Sequence, residues 1–328
     1  MYKLPNQTLW TGRTDSETDP DTFRFHQLVK CLDTEELSDC DSGFSLIGFE
    51  SEEGVRRNKG RLGAAKAPDA IRKALASLPY NIEGSKPAVD VGNVACEGEK
   101  LEQAQQELGV QVSGLLKKSF TPIILGGGHE TLYGHYLGVR EHIGPDATLG
   151  LINIDAHFDM REAEQPSSGT MFRQILESDS NAGYLVLGIQ PFGNTKALFK
   201  KADELNCAYI LAEILTLHNL PEMTAVIDAF SSQYDYLLLT LCTDSLAASA
   251  APGVSAPSPF GLDPLVVRQL LRHVSSKQKL LSFDISEVNP DLDIQEKTVK
   301  LAAYFIAEVM DSFHQESDIK EWNHDSRT

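Results

Sequence analysis

Leu149-Gly150-Leu151-Ile152-Asn153-Ile154-Asp155-Ala156-His157-Phe158-Asp159 decides how this chain is read. Its first half, Leu149 to Ile154, is a short, nearly continuous apolar run, as expected of a parallel strand covered on both faces. Its second half places ligand-type side chains at every second position, so a strand end and the turn after it can aim Asp155, His157 and Asp159 into one small volume. Other apolar runs close in the same way. Pro122 to Leu125 leads into Gly127-Gly128-His129-Glu130, and Tyr236 to Leu241 leads into Cys242-Thr243-Asp244. In open α/β sheets ligands bind beyond the carboxyl ends of the strands, so ends bearing His, Asp and Cys point to one shared metal centre.

Outward from these runs, strand-like segments alternate with helix-like ones. Ser45 to Gly48, Ala88 to Val91, Pro122 to Leu125, Thr148 to Ile154, Tyr184 to Ile189, Ala208 to Leu211, Tyr236 to Leu241 and Lys279 to Phe283 read as strands. Helices are expected at Ala67 to Ala76, Lys100 to Lys118, Glu130 to Gly138, Ser168 to Glu177, Asn194 to Glu204, Met223 to Gln233, Pro264 to Ser275 and Glu296 to Phe313. Such alternation predicts an α/β fold, a mostly parallel sheet of about eight strands with helices on both faces. No Pro/Gly/Ser linker or internal repeat divides the chain, so one domain is expected over 1–328, with residues 1–40 as an N-terminal extension.

Composition narrows the function classes. A formal net charge of −18 argues against nucleic acid or an anionic membrane as partner, since both demand clustered Lys and Arg. The start lacks the apolar core of a signal peptide, and no later run approaches the length of a membrane span, so a cytoplasmic protein is expected. The five cysteines, Cys31, Cys40, Cys96, Cys207 and Cys242, are scattered without a Cys-x-x-Cys pair, which fits a reducing compartment. Only Cys242 invites a chemical role, because alternation at a strand end turns it to the same side as Asp244.

Carboxylate and imidazole together suit Mn, Fe, Zn or Co, whereas an all-oxygen set would suit Mg or Ca. The bland alternatives are a satisfied histidine at a helix start for His129 and a chance Asp-x-His-x-Asp loop. Gly126-Gly127-Gly128 lacks the Lys-Ser/Thr of a P-loop and the spacing of a dinucleotide fingerprint. His26, His135, His142, His218, His273, His314 and His324 have no ligand-like neighbours in sequence, so core or surface roles are expected for them.

These motifs resemble the binuclear manganese motifs of the ureohydrolase family of arginase and agmatinase. A further family segment is Ser282-Phe283-Asp284-Ile285-Ser286-Glu287-Val288-Asn289-Pro290. The stretches from Gly54 to Ala64, Ser167 to Arg173 and Ala251 to Pro257 are most similar to its formimidoylglutamate-hydrolysing branch. The resemblance implies a three-layer arginase-like fold and two Mn2+ ions per subunit. One would be held by His129, Asp155, Asp159 and residue 242, the other by Asp155, His157, Asp244 and residue 242. The family carries Asp at position 242 and this chain carries Cys. A thiolate there is softer and would move preference toward Zn, Fe or Co; a neutral thiol would not ligate at all.

The resemblance also implies a chemistry. Two cations sharing ligands would generate a bridging hydroxide at neutral pH to attack an amidine or guanidine carbon. Glu287 would bind the amidinium nitrogens, and Asp159 would relay a proton to the leaving amine. Where arginase has a histidine near the mouth this chain has Phe172, which carries no protons. Where arginase has an asparagine facing the substrate's amino-acid end it has Arg161, suited to an added carboxylate. Ser168 matches a carboxylate-binding serine, and Arg57, Asn58 and Arg61 form a second candidate clamp. The expected reaction is hydrolysis of N-formimidoyl-L-glutamate to L-glutamate and formamide, in histidine degradation. The expected partners are this small dicarboxylate and further copies of the chain in a homo-oligomer. An agmatinase-like guanidino-acid hydrolase and a non-catalytic metal-binding protein on the same scaffold remain as alternatives.

Overall fold

A computed structural model describes residues 1–37, 42–82, 84 and 86–315. Its first half runs β1 (Tyr2–Lys3), α1 (Phe25–Leu28), β2 (Lys30–Cys31), β3 (Gly43–Glu50), α2 (Glu53–Arg57), α3 (Ala67–Ala76), β4 (Ala88–Ala95), α4 (Leu101–Lys117), β5 (Phe120–Leu125) and α5 (Thr131–Ile143). Its second half runs β6 (Leu149–Ile154), α6 (Met171–Ser178), β7 (Ala182–Ile189), α7 (Lys196–Glu204), β8 (Ala208–Leu211), α8 (Leu220–Ser231), β9 (Tyr236–Cys242), α9 (Pro264–Ser275), β10 (Leu280–Ser286) and α10 (Lys297–Ser312).

Among the described residues the strands join into one ten-stranded sheet in the order β1-β4-β3-β5-β10-β9-β6-β7-β8, with β2 also on β4. Every pairing is parallel except β1 with β4. The eight longer strands are those expected from the apolar runs. β1 and β2, two residues each, are too short for any periodicity to show, and both dock on β4.

The continuous apolar runs follow from a core on each face of the sheet. Within β6, Ile152 and Ile154 face one core with Ile71, Leu270 and Ile306 of α3, α9 and α10. Leu149 and Leu151 face the other with Leu108, Leu132 and Ile175 of α4, α5 and α6. A strand lined on both sides has no solvent-facing position to mark it with polar residues. The N-terminal stretch packs on the first core through Leu9, Trp10, Phe25 and Val29. There the buried Asp90 accepts from Trp10 Nε1 at 2.7 Å and from Arg72 Nε at 2.9 Å, so no polar group in that contact is left unpaired.

Cys31, Cys96 and Cys207 are free and half-buried, and Cys242 is free and buried; Cys40 and His324 lie outside the described residues. No helix among the described residues is long and apolar enough to cross a membrane.

Candidate metal centre

β5, β9 and β6 end at one level of the sheet, with β10 between β5 and β9. The turns after these ends bring together the residues that the sequence singles out. His129, Asp155 and Cys242 each offer a ligand atom within 4.8 Å of the others, and so do Asp155, His157 and Asp244. Asp155 belongs to both groups, which is the arrangement a pair of cations sharing ligands requires.

Individual contacts give the geometry. His129 Nδ1 is 3.0 Å from Asp155 Oδ2 and 2.9 Å from Asp159 Oδ2. His157 Nδ1 is 3.2 Å from Asp244 Oδ2 and 3.6 Å from Asp155 Oδ1. The Cys242 thiol donates to Asp244 Oδ1 at 2.9 Å. Glu287 reaches in from the end of β10 and accepts the backbone N–H of His129 at 2.9 Å. Asp159 and Glu287 have φ of +50° and +67°, left-handed values that a non-glycine residue holds only where its surroundings enforce them.

Surrounding groups fix this arrangement. Asn153 donates to Asp155 Oδ2 at 3.1 Å, and the backbone N–H of His157 donates to Asp155 Oδ1 at 2.8 Å. Asn194, on the loop after β7, accepts from Phe158 N at 3.0 Å and donates to Ala156 O at 2.9 Å, holding the Asp-x-His-x-Asp turn in shape. Phe172 stacks on Tyr184 with centroids 3.9 Å apart and meets the His129 ring edge-on at 6.0 Å. It therefore forms an apolar wall. Sequence reasoning missed Asn194, because a single Asn in a loop carries no spacing signal.

The electrostatics call for cations. Burial opposes a charge on His129, yet hydrogen bonds to Asp155 and Asp159 raise its pKa well above the ordinary value. Burial likewise opposes a charge on His157, and Asp244 and Asp155 raise it. Asp155, despite its burial, is held low by His129 and His157. Burial and the Asp155 charge push Asp159 up. Glu287 is pushed up to about 8 by burial, Asp244 and Glu130. Burial and the surrounding carboxylates push the Cys242 thiol well up. The protein alone thus meets the crowded negative charge by retaining protons, and divalent ions would replace those protons. Aspartates and imidazoles around a shared carboxylate suit Mn, Fe, Zn or Co, so the residues present fit such ions.

The proposed substrate-side residues fall into two groups. Arg161 Nη1 is 3.3 Å from Asn58 Oδ1, and Asn58 Nδ2 is 3.2 Å from Ser168 Oγ, so these three adjoin. Arg161 makes no ion pair among the described residues; its neighbour Glu162 pairs with Arg173 at 3.1 Å. Arg57 and Arg61 are differently engaged. Arg57 donates to Glu53, to Glu102, to Glu99 O and to Pro166 O, at 2.9, 2.6, 2.7 and 3.0 Å. Arg61 donates to Ser255 O at 2.9 Å and to Val254 O at 2.8 Å. Both guanidiniums tie neighbouring loops together.

A sequence profile of the Arginase family matches residues 42–311. The chain belongs to the arginase family. It is 55% identical over 317 residues to a formimidoylglutamase of Geobacillus sp. (strain WCH70), covering 96% of this chain and 98% of that one. It is 52% identical to a formimidoylglutamase of Lysinibacillus sphaericus (strain C3-41), covering 95% and 98%. Among solved structures, formimidoylglutamase from Bacillus subtilis subsp. subtilis str. 168 superposes with a TM-score of 0.80 at 23% identity, covering 91% of this chain and 94% of that one. A variant of Trypanosoma cruzi formiminoglutamase with Mn2+2 superposes with a TM-score of 0.76 at 26% identity, covering 84% and 94%. The groups that could hold a metal ion lie at the strand ends of this arginase-family fold.

Proposed function

We infer that this chain is a formimidoylglutamase: a metal-dependent hydrolase that converts N-formimidoyl-L-glutamate to L-glutamate and formamide in histidine degradation. The observation that carries the reading is the convergence of His129, Asp155, His157 and Asp244, with Arg161, which makes no ion pair among the described residues, two positions beyond Asp159 and bonded to Asn58. The near full-length similarity to formimidoylglutamases supports it. His129, Asp155, Asp159, His157, Asp244 and Cys242 would hold two ions per subunit, manganese by preference of the family. When bound, such ions act as Lewis acids and make water a nucleophile at neutral pH.

The chain's own residues do the rest. Glu287, buried and poised near neutrality, binds the amidinium nitrogens by charge-assisted hydrogen bonds. Asp159, also pushed toward its protonated form, hands a proton to the leaving glutamate nitrogen. Phe172 excludes water behind His129 without offering a proton path. Arg161, Asn58 and Ser168 bind the substrate carboxylates, the guanidinium by paired hydrogen bonds. The whole operates as one ureohydrolase domain, in a cytoplasmic homo-oligomer.

Product analysis by NMR on Mn2+-supplied protein tests this reading. Formimidoylglutamate should give glutamate and formamide and be preferred over agmatine and arginine. Release of ammonia with formylglutamate, or preference for a guanidine, would overturn it.

A further inference from the structure

A chain of buried polar groups continues beneath His129, away from the ligand side. His129 Nε2 is 3.1 Å from Thr240 Oγ1, and Thr240 Oγ1 is 2.8 Å from Asp284 Oδ1. Ser286 Oγ also donates to Asp284 Oδ1, at 3.1 Å. The other oxygen, Oδ2, is 2.7 Å from His135 Nδ1, and His135 Nε2 is 2.5 Å from Ser282 Oγ. Thr240, Asp284, His135, Ser282 and Ser286 are all fully buried. Thr240 and Asp284 are register partners on β9 and β10, and His135 reaches them from α5. Polar groups this deep cost stability unless each finds a partner, and an apolar core would fill the same space. They are therefore expected to serve something beyond packing.

The direction of the hydrogen bonds shows what. An ionised carboxylate only accepts, and Asp284 has donor groups at both oxygens. Thr240 accordingly gives its hydroxyl proton to Asp284, and its oxygen is left to accept from His129 Nε2–H. A neutral imidazole carries one ring proton, so with Nε2 protonated the lone pair sits on Nδ1. Nδ1 is the atom that faces Asp155 and Asp159. We propose that Thr240, Asp284 and His135 are positioning residues that hold His129 in its Nε2–H tautomer and turn Nδ1 toward the bound cation. The proposal rests on the metal-centre reading given above. Outer partners of this kind fix ring orientation and raise ligand basicity.

Thr240→Val removes the hydroxyl at nearly constant volume, Thr240→Ser retains it, and Asp284→Asn supplies an amide that can donate to Thr240 and reverse the hydroxyl. Mn2+ affinity is measured on the full chain by chelator competition. Thr240→Val and Asp284→Asn should each weaken it about 10- to 100-fold, and Thr240→Ser should stay within about threefold of native. In 15N-labelled native protein loaded with diamagnetic Zn2+, His129 should show a hydrogen-bonded Nε2–H and a metal-bound Nδ1. Native-like affinity in both disruptive variants, or a Thr240→Ser as weak as Thr240→Val, overturns the proposal. So does a metal-bound Nε2 in the native spectrum, which needs no variant to fold. Native protein that retains no cation overturns the metal-centre reading and this proposal with it; tight native binding unmoved by the variants overturns this proposal alone.

Discussion

Cys242 stands where the resemblance to the arginase motif implies an aspartate. Buried beside Asp155 and Asp244, its thiol stays protonated and donates to Asp244 Oδ1, so the protein alone does not present a thiolate. Ion binding would have to displace that proton, and the softer sulfur would then disfavour manganese relative to zinc or iron. Cys242→Asp is accordingly expected to raise Mn2+ affinity on the order of tenfold, and thiol oxidants to inhibit the native enzyme but not the variant. Equal Mn2+ affinity and equal oxidant resistance would mark the sulfur as a bystander. Loss of a ligand shared by both ions should be more severe: Asp155→Ala should bind fewer ions per subunit and lose nearly all turnover, read by metal analysis on the assayed sample. At the mouth, Arg161 is exposed, so its pairing with a substrate carboxylate is placed at the weak end of charged hydrogen bonds. Arg161→Ala should cost about 1.5 kcal/mol in kcat/KM for formimidoylglutamate, roughly tenfold, with metal content unchanged. An unchanged kcat/KM would remove Arg161 from the substrate site.

At the level of elements, the glycine run after β5 has a steric explanation. A Cβ on Gly127 would collide with the carbonyl oxygen of Ser51 at the end of β3, and one on Gly128 with Glu130 Oε2. The loop is pressed against the neighbouring strand end, and Gly128 N donates to Ser51 O at 2.9 Å. Gly127→Ala should therefore destabilise the fold by about 1–3 kcal/mol and, by lifting the loop, weaken metal binding through His129. Urea unfolding alongside Mn2+ titration would show it, and an Ala variant as stable as native would refute the close approach. What the sequence disclosed, and what it concealed, follows the same division. Candidate ligands at strand ends were legible because each follows an apolar run and, His129 apart, stands two residues from another. The pairing of Thr240 with Asp284 was not, since their meeting depends on β9 and β10 being neighbours in register. His135 was set aside for want of ligand-like neighbours in sequence; its partner Asp284 lies 149 positions away. Arg57 was placed in a candidate carboxylate clamp with Asn58 and Arg61; its bonds to Glu102 and the Pro166 carbonyl, 45 and 109 positions away, carry no signal in the sequence.

Taken as a whole, the molecule carries a pH dependence that a metal should remove. Without ions, Glu287 keeps its proton up to about 8, although its ordinary pKa is 4.5, so stability falls as pH rises between those values. His129 and His157 titrate above their ordinary 6.5, so the stability they add is full below that value and is lost as pH rises through their folded values. The two effects have the same sign. Asp155, held low, adds stability that disappears only in stronger acid. Chelated protein should therefore melt lower at pH 8.5 than at pH 6. Mn2+ at a hundredfold excess over Kd should add about 2.7 kcal/mol per site; at one fixed Mn2+ concentration the gain in Tm should be larger at the higher pH, where fewer protons compete for the ligands. A gain independent of pH would contradict the assignment of these groups to the metal centre. The sheet order carries a last consequence, for biosynthesis. β10, the last strand in chain order among the described residues, lies between β5 and β9, so until it is inserted His129 belongs to one half-sheet while Asp155, Cys242 and Asp244 belong to the other. The two candidate ligand groups can therefore form in succession: Asp155, His157 and Asp244 meet on the neighbouring β6 and β9 ends first, and His129 joins them only when β10 closes the gap.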